Sequence, residues 1–107
     1  MAQFDDRRDA FENKFAHDED LRFKATARRN KALGHWAAGQ LGRSGPEADA
    51  YAKAVVMSDF EEAGDGDVLR KVRTDLEAGG LAMTEAQIRA KMDEFMARAI
   101  DEIQTGT

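Results

Sequence analysis

From residue 85 to residue 104 the apolar side chains return at helical spacing: Ile88, Met92, Phe95, Met96, Ala99, Ile100 and Ile103 form one stripe. No other feature of the chain constrains its fold as strongly. A helix with a single apolar stripe has to bury it against other elements. Three further stretches carry stripes of their own. Residues 68–78 place Val68, Leu69, Val72 and Leu76 on one face. Residues 46–63 offer Tyr51, Ala52, Val55, Val56 and Phe60. Residues 18–41 offer Phe23, Ala27, Leu33, Trp36, Ala37 and Leu41, a looser stripe with Asn30 inside it.

The boundaries between these stretches are punctuated. Asp18, Glu19 and Asp20 suit a helix start, where negative charge meets the positive end of the dipole. Gly42, Gly45 and Pro46 end the first stretch. Ser44 and Glu47 read as a capping box for the second, with Pro46 tolerated in its first turn. Gly64 closes it, and Asp67 is the expected N-cap of the third. Gly79-Gly80 ends the third, and Thr84 with Gln87 forms a second capping box. The sequence holds no strand signal and no internal repeat. The expected architecture is all-α: a four-helix bundle over residues 18–107, joined by short loops.

Residues 1–17 stand apart. Phe4, Phe11 and Phe15 lie at spacings of seven and four, on one side of a helix. Between them come Asp5, Asp6, Arg7, Arg8, Asp9, Glu12, Asn13 and Lys14, and few aliphatic residues that would complete a core. Two readings stay open. The stretch extends the first helix and packs on the bundle, or it is a flexible, partly helical segment that orders when its rings enter a partner's groove.

Charge is unevenly spread. The chain has a formal net charge of −5. Residues 1–20 carry seven acids and three bases. Residues 22–31 carry five bases (Arg22, Lys24, Arg28, Arg29, Lys31) and no acid. A basic helix on an acidic body disfavours nucleic acid, which requires a dominant positive field. Lys24, Arg28 and Lys31 share one helical face. Such a run is most often solvated surface, but it also fits an acidic partner or a nucleotide phosphate.

Catalytic chemistry finds little to work with. There is no cysteine, which excludes disulfides and thiolate chemistry. His17, Asp18, Glu19 and Asp20 are adjacent and point in different directions along a helix, so they read as a helix start and not a metal site. Glu61, Glu62, Asp65 and Asp67 lack the alternation of a calcium loop. His35 has no serine, acid or second histidine spaced for a triad. Gly64-Asp65-Gly66 would repel phosphate with its flanking acids. No apolar run reaches the roughly 18 residues of a membrane span, and the N-terminus has no signal-peptide core. These features predict a non-catalytic, cytoplasmic binding protein that does not insert directly into a membrane.

Several stretches carry a family resemblance. FDDRRDAFENKFAHDEDLRFKATARRNKALGHWAA (residues 4–38), YAKAVV (51–56), DFEEAGDGDVLRKVRTDL (59–76) and QIRAKM (87–92) closely resemble the zeta subunit of the alpha-proteobacterial F-type ATP synthase. The resemblance runs over essentially the whole chain. Ala32 and His35 stand where leucines are common in that family. The resemblance implies a four-helix bundle and an N-terminal inhibitory segment. That segment would enter the catalytic interface of the ATP synthase head, reach toward the rotor stalk and block ATP hydrolysis. The protein would then sit at the inner face of the membrane through the enzyme. Carried over to this chain, Phe4, Phe11 and Phe15 become apolar anchors, and Arg7, Arg8, Glu12 and Lys14 supply orienting charge. The resemblance implies no cofactor. The alternative is a small sensing module with weak adenine nucleotide binding at the Lys24–Arg28–Lys31 face.

Overall fold

The computed structural model describes residues 19–59 and 64–106. Among them the chain forms four helices and no strand: α1 (Glu19–Gln40), α2 (Gly45–Ser58), α3 (Gly66–Ala78) and α4 (Glu85–Thr105). The ends of α1 and α3 and the starts of α1 and α4 follow from the punctuation read above. Thr84 Oγ1 accepts from the Gln87 N–H at 3.1 Å, and the Gln87 side chain accepts from the Thr84 N–H at 2.9 Å, so the capping box at α4 is complete. α1 ends with Gly42 at φ +77, where the Gly42 N–H bonds Gly39 and the Arg43 N–H bonds Ala38. This pair of bonds satisfies carbonyls that the last helical turn leaves over, and its left-handed residue favours glycine. α3 closes through the equivalent bonds, Gly80 to Glu77 and Leu81 to Leu76.

Three details differ from the sequence reading. Ser44 is the N-cap of α2, with extended backbone, but its side chain makes no cap bond. Pro46 at the second helical position has no N–H, which removes one of the two donors that an N-cap oxygen normally uses. α2 ends at Ser58, short of residue 63. There the Ser58 hydroxyl donates to the Val55 carbonyl at 2.7 Å, and the Asp59 N–H bonds Val56, tightening the last turn. α3 begins at Gly66 with Asp65 as its N-cap, while Asp67 lies inside the first turn and is buried.

The core is continuous across the four helices. Leu33 and Ala37 of α1, Tyr51 and Val55 of α2, Val68, Val72 and Leu76 of α3, and Ile88, Met92 and Phe95 of α4 form one buried cluster. Trp36 and Leu41 pack on it as half-buried flanks. Burying side chains of this size is worth about 1.5–3 kcal/mol each. α1 and α2 approach closely at Gly34, where an added Cβ would lie 2.6 Å from the Ala52 Cα. A smaller cluster, Ala25 with Ala99, lies toward the start of α1, flanked by Leu21, Met96, Ile100 and Ile103.

Phe23 does not belong to the buried stripe of α1, as its spacing had suggested: it is 58% exposed. The face of α1 turned inward runs through Ala25, Arg29, Asn30, Leu33, Gly34, Ala37 and Ala38. Phe60 lies outside the described residues.

Candidate functional site

The segment residues Phe4, Arg7, Arg8, Phe11, Glu12, Lys14 and Phe15 lie outside the described residues, as does the boundary drawn at residue 17. The root of the segment is described, because α1 begins at Glu19.

The basic face of α1 is present as the spacing predicted, with Lys24, Arg28 and Lys31 all exposed. Two of its cations have acidic neighbours. Lys24 Nζ is 3.2 Å from Asp20 Oδ2 one turn back, and Arg28 lies 3.4 Å from Glu102 Oε1 on α4. Exposed pairs of this kind contribute roughly 0–1 kcal/mol and exchange readily with water or with another anion. The face therefore stays open to a partner, with its positive field weakened by the two acids.

The other two bases of the run have different fates. Arg22 is exposed, whereas Arg29 turns inward and its side chain is only 7% exposed. Its Nε donates to Asn30 Oδ1 at 3.0 Å, and one terminal nitrogen lies 3.4 Å from Asp65 Oδ2. That oxygen also accepts from Arg89 of α4 at 2.7 Å. Asp65 thus ties α1, the start of α3 and α4 together with one carboxylate. Burial lowers the Arg29 pKa, opposed by the charges of Asp65 and Asp59. The hydrogen bond from Arg89 holds the Asp65 carboxyl below its ordinary value. Asp59 is shifted the other way: desolvation raises it, and its hydrogen bond with Asn30 only partly offsets that.

Beside this cluster opens a cleft of about 530 Å³ lined by Arg22, Phe23, Thr26, Arg29, Asp59, Gly64, Asp65 and Met96. Sequence reasoning missed both the cleft and the cluster. Asn30 inside the α1 stripe was the available signal: a polar residue at a core position calls for a buried partner. Arg29 was hidden in a basic run and Asp65 in a turn. Elsewhere, the Tyr51 hydroxyl donates to Asp75 at 2.8 Å, and Lys71 reaches the same carboxylate at 3.1 Å, joining α2 to α3. His35 is half-exposed, with Nε2 3.8 Å from Asp49 of α2. Among the described residues, no three acidic or histidine side chains are disposed to hold a metal ion. No described helix is long and apolar enough to cross a membrane.

The described residues form a four-helix bundle with a charge cluster and a cleft beside it, and comparison with known families finds a match. The family model for ATPase inhibitor subunit zeta matches residues 1–102. The chain belongs to that family. A protein whose structure was determined by NMR in solution is 49% identical to this chain. It aligns over 81% of this chain and 99% of its own length, with a TM-score of 0.71. No curated protein matches. Membership in the zeta family identifies the chain as an ATPase inhibitor subunit, and the matched range takes in both the leading segment and the bundle.

Proposed function

We infer that this zeta-family chain binds the catalytic head of F-type ATP synthase and blocks ATP hydrolysis through residues 1–17. The observation that carries this reading is the family match over residues 1–102, which spans the segment together with its platform. Phe4, Phe11 and Phe15 enter apolar pockets at the catalytic interface and reach toward the rotor stalk. Arg7, Arg8, Glu12 and Lys14 orient the segment at a wetter rim. The bundle docks outside, where Lys24, Arg28 and Lys31 meet acidic surface and trade their weak internal pairs for contacts with the partner. The protein acts where the enzyme head lies, on the inner side of the membrane, without crossing it and without a cofactor. An adenine nucleotide at the basic face is the weaker reading, because Asp20 and Glu102 already sit against two of its three cations.

The test is titration of the purified chain into an isolated ATP synthase head while ATP hydrolysis is followed. Hydrolysis should fall to a plateau at a fixed stoichiometry, and in the intact enzyme synthesis should be suppressed far less. Unchanged hydrolysis at saturating protein would overturn the reading.

A further inference from the structure

Residue 17 stands two residues before Glu19, where α1 begins. An extended chain advances at most about 3.5 Å per residue, and a helix about 1.5 Å. The Cα of Phe23 therefore lies within about 13 Å of residue 17. Gln40, at the other end of α1, lies about 32 Å from Glu19. A partner that takes up residues 1–17 meets the bundle first at the opening turns of α1, whatever the tilt of the bundle.

Those turns present an aromatic ring. Phe23 and Met57 are the exposed large hydrophobic side chains among the described residues, at 58% and 57%. Phe23 makes an interaction within the chain and still keeps that surface. The fold explains the exposure. The column of α1 that holds Phe23 continues through Asn30 and Gly34, and both are buried. α2 covers the column there, with Ala52 against Gly34 and Asp59 bonded to Asn30, but the helix ends at Ser58. Phe23 stands two turns beyond. Ala27, one turn after Phe23, is also a neighbour of Lys24 and Lys31, so the ring borders the basic face. Aromatic side chains that become fully desolvated carry much of the energy of an interface, and charges around them steer the approach.

We propose that Phe23 anchors the bundle to the ATP synthase head. Its ring enters an apolar pocket rimmed by carboxylates, at the mouth of the interface that takes up residues 1–17, with Lys24 and Lys31 against the rim. The anchor rests on the inhibitory reading of the segment and adds a division of labour to it. Residues 1–17 block the enzyme, and Phe23 sets how tightly the inhibitor is held.

The test titrates full-length Phe23→Ala into the isolated head while ATP hydrolysis is followed. The concentration for half-inhibition should rise about tenfold or more, the loss expected for one buried ring. The plateau at saturating protein should match wild type, and the cooperative melt of the bundle should persist. Met57→Ala removes an equally exposed side chain from α2 and should leave half-inhibition unchanged. A second readout does not depend on the stability of the alanine variant. Because the chain has no cysteine, Phe23→Cys carries a single polarity-sensitive fluorophore. Its emission should shift to the blue when the head is added, and the same label on Met57→Cys should not respond. Wild-type half-inhibition by Phe23→Ala overturns the anchor alone, as does an unshifted emission at position 23. A lowered plateau would make the ring part of the block and overturns it too. Absence of inhibition by wild type overturns the inhibitory reading and the anchor with it.

Discussion

Two neighbouring regions of the bundle are held by different physics. Around Leu33, Val55, Val72, Leu76 and Ile88 the helices meet through buried apolar side chains, supplemented by the close Gly34–Ala52 approach. Around Arg29, Asn30, Asp59, Asp65 and Arg89 they meet through a hydrogen-bonded charge cluster. The apolar region stabilises by area removed from water and tolerates substitutions that conserve volume. The polar region gains less net stability, because desolvating charge offsets much of the attraction.

The largest effect is expected in the apolar region. Ile88→Ala leaves a cavity in a fully enclosed position and should cost about 2–5 kcal/mol, read as a lower midpoint in chemical denaturation with folding still cooperative. Gly34→Ala overpacks the α1–α2 crossing and should cost about 1–3 kcal/mol. In the polar region, Asp65→Ala leaves Arg29 buried without its carboxylate and should cost about 1–3 kcal/mol. An Asp65→Ala protein as stable as wild type would show that the cluster holds nothing together and would break the comparison.

Acid titration sharpens the contrast with a smaller effect. The folded pKa of Asp65 is lowered, so its contribution is present above the unfolded value near 3.9 and is lost as pH falls through its folded pKa. The folded pKa of Asp59 is raised, so the folded state binds more protons than the unfolded one between about 3.9 and that raised value. Stability therefore rises as pH falls through the Asp59 window and declines below it. Asp59→Asn should flatten the rise, while Asp65→Asn should flatten the decline. Denaturation midpoints measured from pH 7 to pH 3 check both signs.

The apolar contacts were legible in the sequence, and the polar cluster was not. Val68, Leu69, Val72 and Leu76, with Ile88, Met92, Phe95 and Ala99, repeat at helical spacing, and the spacing alone assigns them to a core. The Thr84–Gln87 cap was readable because both of its partners are local. Arg29, Asp65 and Arg89 are far apart in the chain, and each residue taken singly looks like ordinary surface. Phe23 misled for the converse reason: an aromatic ring at roughly the right spacing reads as core, yet Arg29 and Asn30 occupy the inward face instead. Of the candidate site, sequence reading located the basic face of α1 but not its pairing with Asp20 and Glu102, nor the cleft beside it.

A smaller effect is expected at the α1 surface. If Lys24, Arg28 and Lys31 steer the approach to the enzyme, raising ionic strength should slow association more than it speeds dissociation. An association rate indifferent to salt would return that face to solvated surface.

The central claim is that the leading segment inhibits while the bundle carries it, and one titration bears on it most directly. Wild type and the double variant Phe11→Ala/Phe15→Ala are added at limiting concentration to the ATP synthase head, with the thermal melt of each protein recorded alongside. Burying each ring is worth about 1.5–3 kcal/mol, so losing two should weaken inhibition by roughly 100-fold or more, while the cooperative melt of the bundle persists. Equal inhibition by the two proteins would contradict the account, as would the absence of binding by either.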